Sequence, residues 1–422
     1  MAFEATLACA HRLDEADVLS DFRARFELPQ GADGKPLIYL CGHSLGLMPR
    51  AARALVMQEL DDWGALGARG HESAQRPWIP YHENLTAGLA ELTGAAPQEV
   101  VAMNSLTVNL HLMLATFYRP RGKRRKILIE AGAFPSDRHA IASQLKWHGF
   151  DAQDSLIELA PAALEESVSE EEIEGALQHL GSEIALVLWP GVQYRTGQAF
   201  DLTRIARAAR RARCLVGFDL AHSIGNVELA LSRSGADFAV WCNYKYLNAG
   251  PGAIGGCFIH ERHLGAMVPP HLTGWWGHEA ATRFLMRPQF RAAAGAAGWQ
   301  LSNPPILSSA PLIASLAIFA AARLERLRAK SIALTGFLEY LIDGLTPGVR
   351  IITPREPAQR GCQLSFRVRG GRRIFERLSA AGVVCDWREP DTLRVAPVPL
   401  YNRFEDVWLF RELLAQALGS AA

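Results

Sequence analysis

The chain has 422 residues, 49% of them hydrophobic and 21% charged, which is enough for a large buried core, predicts two domains and excludes a disordered chain. Lysine plus arginine (44) balance aspartate plus glutamate (43), so the net charge of +1 gives no reason to expect a nucleic-acid or membrane partner. Seven cysteines (9, 41, 214, 242, 257, 362 and 385) form no C-x-x-C pair, which argues against a metal or disulfide framework and, with no secretory leader pattern at Met1 to Glu4 and no apolar run long enough for a span, predicts a cytoplasmic protein.

In chain order, residues 1–37 read as an N-terminal helical segment that packs with the C-terminal domain. A large domain is expected over 38–305. It opens with the strand Leu37 to Leu40, followed by Gly42-His43-Ser44-Leu45-Gly46. Short apolar runs then alternate with helical patterns: Glu99 to Ala102, Lys126 to Ile129, Ala185 to Leu188, Cys214 to Phe218, Asp237 to Val240 and Gly255 to Ile259. The basic run Arg119 to Lys126 reads as a solvated loop. Such alternation predicts an α/β fold with a mostly parallel central sheet covered on both faces. After Ser302-Asn303-Pro304-Pro305 the texture changes. Pro311 to Gly344 is strongly helical, and a smaller α+β domain over 306–422 follows with strands at Val349 to Ile352, Gln363 to Arg367 and Thr392 to Ala396, a helix over Arg373 to Ala381 and a last helix over Asn402 to Leu418.

The chemistry concentrates at two strand ends. Val216 to Phe218 runs into Asp219, with His222 three residues on; Phe238 to Trp241 leads to Tyr244-Lys245-Tyr246, the lysine lying 26 residues after the aspartate. In parallel sheets, ligands bind at the carboxyl ends of the strands. A lysine and an acid placed there suit pyridoxal phosphate (PLP): the lysine bonds the cofactor and the carboxylate keeps the pyridine nitrogen protonated. The glycine-rich turn Asn248 to Gly256 lets the backbone approach a bulky group. An aspartate after a strand is most often a helix N-cap, and His222 alone could be a core histidine; the joint spacing favours the site. Two helix starts could hold a phosphate, Asn104-Ser105-Leu106-Thr107 and Phe134-Pro135-Ser136-Asp137, each otherwise an ordinary cap. Arg394, inside an apolar strand, must find an anion, either a substrate carboxylate or a structural partner.

These segments, with Gly191-Val192-Gln193-Tyr194, Gly274-Trp275-Trp276-Gly277-His278 and Arg394-Val395-Ala396-Pro397, resemble the kynureninase family from about Tyr39 to Tyr401. The resemblance implies a PLP-dependent fold-type-I enzyme, a homodimer with active sites near its interface, and hydrolysis of L-kynurenine or 3-hydroxy-L-kynurenine to an anthranilate plus L-alanine. It implies that Lys245 is the Schiff-base lysine and Asp219 the pyridinium partner. It implies that Leu106, Thr107, Phe134, Pro135, Ser136, Asp137, His222, Tyr244, Trp275 and Asn303 contact the cofactor, and that Arg394 takes the substrate carboxylate. Tyr244 is the candidate proton relay beside Lys245. His71, Ser302 and Asn303 resemble members that favour the 3-hydroxy substrate, whose extra hydroxyl polar groups could bond. Arg195 and Pro190 depart from the family pattern, which often has an aromatic residue and in some members a serine at these places. A cysteine desulfurase relative would need a flexible-loop cysteine, whereas Cys362 opens an apolar strand. A DNA-binding regulator would need more than 37 residues ahead of the first strand.

Overall fold

A computed structural model of the protein describes residues 3–163, 165–265 and 268–419. Its strands in chain order begin with β1 (Ile38–Tyr39), β2 (Val100–Ala102), β3 (Lys126–Glu130), β4 (Leu156–Leu159), β5 (Ile184–Pro190), β6 (Leu215–Asp219), β7 (Phe238–Cys242) and β8 (Gly255–Ile259). Seven of these form the central sheet in the order β2-β8-β7-β6-β5-β3-β4. Only β8 runs against the others. Their interior residues are mostly apolar because both faces are covered, with acids confined to strand ends and to the edge strand β4. Leu128, Val187, Trp189, Phe218 and Trp241 pack into the core on one face; Ile127, Ile129, Leu186, Leu188 and Val240 pack on the other. That split is the two-residue alternation of a strand.

Helices between the strands are cut by local chemistry. Leu202–Arg211 buries Leu202, Ile205, Ala206, Ala208 and Ala209, leaves arginines outside, and is capped by Asp201 Oδ1, which accepts from the Arg204 N–H at 3.0 Å. Strand β4 is absent from the sequence reading, since Leu156–Leu159 is a half-buried edge strand with Glu158 outward. The basic run beside it is not a free loop: Arg124 reaches in and donates to the carbonyls of Gly181 and Ile184, each at 2.8 Å.

The C-terminal part holds β9 (Val349–Ile351), β10 (Leu364–Val368), β11 (Val383–Val384), β12 (Asp386–Arg388) and β13 (Thr392–Val395). Four of them make an antiparallel sheet ordered β12-β13-β10-β9. The predicted helical stretch divides into Ile306–Ala322 and Leu324–Asp343, bent by 80° at Arg323, whose φ of 65° cannot continue a helix. Among the described residues no single helix is long and apolar enough to cross a membrane. Strand β1 pairs in parallel with β11, so it extends the C-terminal unit and not the large sheet. The helix Leu7–Glu15 joins that unit too: Asp14 accepts from the N–H groups of Phe404 (2.7 Å) and Glu405 (3.0 Å), capping the last helix, Phe404–Gly419. Residues 1–2 and 420–422, at the ends of the segments expected from sequence, lie outside the described residues.

Candidate active site

A cavity opens at the carboxyl ends of β3, β5, β6 and β7. It gathers Leu106, Thr107, Phe134, Ser136, Asp137, Asp219, His222, Tyr244 and Lys245, nine residues singled out from sequence. Glu130, Trp189, Pro190 and Tyr194 complete much of its wall.

Lys245 projects from the turn after β7. Its Nζ donates to His222 Nε2 at 3.0 Å and lies 5.8 Å from the Phe134 ring centre and 6.0 Å from that of Tyr244. Gly46 presses against the same turn. A Cβ there would stand 2.2 Å from the Lys245 carbonyl oxygen, so only glycine fits. Burial first, then the charges of Lys245 and Arg394, hold His222 neutral. With Nε2 accepting, the ring proton is on Nδ1, which has no protein partner.

The carboxylates form a second group. Asp219 accepts the Ala221 N–H at 2.7 Å, and Asp137 bonds to it side chain to side chain. Burial lifts both, and the Asp219 charge lifts Asp137 further, so the pair holds a proton between them. Asp137 Oδ1 has no partner. Burial pushes Glu130 up to about 8, opposed by a hydrogen bond from Gln193. The signal for Glu130 was present in the sequence: an acid ending an apolar strand, as at Asp219.

The third group is built for an anion. Helices Leu106–Phe117 and Pro135–Trp147 begin at the cavity, and neither N-cap side chain bonds the first turn. The first amides, at Leu106, Thr107 and Ser136, receive no side-chain cap, and the dipoles favour a negative ligand. Thr107 Oγ1 and Ser136 Oγ, one from each helix, are 2.6 Å apart. Pro135 is exposed and acts as the first helical residue, where its missing N–H costs nothing.

Arg394 stands behind Tyr194, outside the cavity lining. It is 1% exposed, donates to the Tyr194 carbonyl at 2.5 Å and pairs with Asp386, its cross-strand neighbour on β12. Its Nε has no partner. Tyr194 meets Phe134 edge-on with centres 5.3 Å apart. Arg195 turns away from the cavity to Asp391 (3.2 Å) and Thr392 (3.1 Å), a tie to the C-terminal sheet. Pro190 lines the cavity with no side-chain donor to offer. Trp275, His71, Ser302 and Asn303 are exposed and do not line the cavity. Trp275 donates to the Arg283 carbonyl at 3.1 Å, and His71 meets Trp78 edge-on. Asp386 had no sequence signal, because its importance arises only from strand pairing.

These groups fit pyridoxal phosphate. The lysine, the buried carboxyl pair, the open helix ends with two hydroxyls, and the unpartnered atoms of His222 and Asp137 offer what its aldehyde, ring nitrogen, phosphate and ring oxygen require. Comparison with known proteins agrees. Residues 327–414 match the kynureninase C-terminal domain. The chain is 57% identical to a kynureninase of Xanthomonas campestris, over 94% of this chain and 95% of that one. It is 53% identical to a kynureninase of Myxococcus xanthus, over 98% and 97%. The cysteine desulfurase CsdA of Escherichia coli shares the fold, with a TM-score of 0.74 and 19% identity over 96% of this chain and 98% of that one. All seven cysteines here are buried, and burial lifts Cys362 to about 12, far from a reactive thiolate. The chain belongs to the kynureninase family, PLP-dependent hydrolases that act on carbon–carbon bonds.

Proposed function

We propose that the protein cleaves the Cβ–Cγ bond of L-kynurenine and 3-hydroxy-L-kynurenine, favouring the latter, to give the anthranilate and L-alanine. One observation carries this: a lysine, a shared carboxyl proton and two open helix ends face one cavity in a chain more than half identical to kynureninases. When bound, pyridoxal phosphate draws electrons from the substrate's Cα and lets Cβ depart from the ketone carbon. Lys245 bonds the cofactor and takes the Cα proton at Nζ. Asp219, backed by Asp137, holds the proton on the pyridine nitrogen. Thr107, Ser136 and the amides from Leu106 onward hold the phosphate, and Phe134 and His222 flank the ring. Arg394 holds the substrate carboxylate. Water adds to the side-chain ketone, and the acyl fragment leaves. Tyr244 gives a proton to Cβ; burial raises its phenol, which keeps that proton in place until it is needed.

The site is completed by a second copy of the chain, which brings Trp275, Asn303, Ser302 and His71. Their exposure supports this, as does the apolar surface around Leu45, Met48, Met57 and Leu307, each at least 37% exposed. The last three polar residues suit the substrate's extra hydroxyl. Buried thiols and balanced charge fit a cytoplasmic homodimer. Steady-state assays on both substrates test the preference: a higher kcat/KM for the 3-hydroxy form is expected, and equal values would refute it. Tyr244→Phe should keep the bound-cofactor absorbance and lose about 100-fold in kcat. Unchanged turnover removes the tyrosine from proton transfer.

A further inference from the structure

The loop Cys41 to Gly46 enters the site from the C-terminal side. It leaves β1, bridges Ala396 through Cys41, and ends with the Gly46 N–H bonded to the Tyr244 carbonyl at 2.8 Å. His43 therefore lies between two parts of the molecule. On one side its ring centre is 6.5 Å from that of His222, the partner of Lys245. On the other its Nε2 is 3.7 Å from Asp386 Oδ2, the oxygen that holds Arg394. The side chain is 1% exposed, yet both ring nitrogens lack a hydrogen-bond partner. So does Nε of Arg394. Leaving such polar groups unbonded in an interior is costly, and both residues lie against the same oxygen, Asp386 Oδ2.

Cys41, His43 and Asp386 also stand close enough together to suggest a cation. The charges say otherwise. Asp386 already pairs with both Arg388 and Arg394, and burial holds Cys41 as a thiol. The groups facing His43 are Arg394, Arg388 and Asp386 from the C-terminal sheet, Lys245 and His222 from the large sheet, and Cys41 from its own loop. Arg394, Arg388 and Lys245 are cationic against the one carboxylate of Asp386, so the local field favours an anion.

We propose that His43 is a further substrate-binding residue, whose imidazole N–H joins Arg394 in holding the α-carboxylate of the amino-acid substrate. This rests on the reading that Arg394 receives that carboxylate. A neutral imidazole gives one directed bond, while the guanidinium supplies the charge. Together they select an α-carboxylate over an uncharged group of the same shape.

The test compares L-alanine with L-alaninamide as ligands of the cofactor-loaded protein, measuring dissociation constants by calorimetry. His43→Leu should cut the preference for the acid about 10-fold and leave amide binding unchanged; His43→Asn, which keeps a donor, should preserve most of it. Arg394→Lys is run alongside. If Arg394→Lys lowers the preference and His43→Leu does not, the His43 assignment is overturned and Arg394 keeps its place. If neither lowers it, the carboxylate binds elsewhere and both readings fall. A second measurement needs no folded leucine variant. With all 13 histidines labelled at the ring nitrogens, the His43 resonance, assigned by its loss in His43→Asn, should move with L-alanine and not with L-alaninamide. A resonance that ignores both ligands overturns the proposal.

Discussion

The cavity wall and the C-terminal wall behind it are stabilised by opposite means. On the large-sheet side, ionisable groups are kept neutral or share protons: Asp137 and Asp219 share one, Glu130 is lifted by burial, and His222 is uncharged. On the C-terminal side they stay charged and form ion pairs: Asp386 joins Arg394 and Arg388, and Asp391 joins Arg195 and Arg367. The first arrangement suits a cofactor that brings its own charges. The second suits a rigid cationic wall that waits for an anion. The difference predicts that substitutions on the first wall act on chemistry and pH response, and those on the second act on stability and KM.

The largest effect tests the first wall. Lys245→Ala should abolish the bound-cofactor absorbance band and lower turnover by about 10,000-fold, because the covalent tie and the base proposed for Lys245 are both removed. A variant that still turns over at a tenth of the wild-type rate would move the base elsewhere. The next breaks the second wall. Asp386→Ala leaves the buried Arg394 without its carboxylate and should cost about 3–5 kcal/mol of stability, read from denaturant midpoints. A near-neutral result would mean that solvent reaches Arg394.

Glu130 sharpens the contrast through pH. Its value in the fold is about 8 against an ordinary 4.5. A raised value means that the fold holds the proton more tightly than the open chain does. The stability this brings is complete below about 4.5 and is lost as pH rises through about 8. Glu130→Gln, which cannot ionise, should therefore raise the unfolding midpoint by about 4 °C at pH 9 and change it little near pH 5. The smallest effect is at Arg195. Its pair with Asp391 is partly exposed, so Arg195→Ala should cost less than about 1 kcal/mol and raise KM about 2-fold, the difference fading in high salt. A fall in kcat with KM unchanged would place Arg195 in the chemistry.

The same contrast explains what the sequence disclosed. Residues on the large-sheet wall sit where apolar strands end and helices begin, and local pattern finds such places: Asp219, Lys245, Thr107 and Ser136 were all legible. Glu130 carried the same signal as Asp219 and was passed over because no second residue fixed its spacing. The C-terminal wall depends on pairing between strands. Asp386 faces Arg394 only because β12 lies beside β13 in that register, and β12 is three residues of no marked character. His43 was visible as part of a segment, but its position depends on β1 joining β11, where a two-residue strand gives pattern almost nothing to read. The bend at Arg323 was hidden for a similar reason, since both helices it separates share one composition.

The central claim is that this cavity breaks a carbon–carbon bond. The most direct measurement is product analysis of the purified, PLP-loaded protein given 3-hydroxy-L-kynurenine and, separately, L-cysteine. Equal amounts of L-alanine and 3-hydroxyanthranilate from the first, with no sulfide from the second, are expected. Sulfide release from cysteine with 3-hydroxykynurenine left intact would contradict the account.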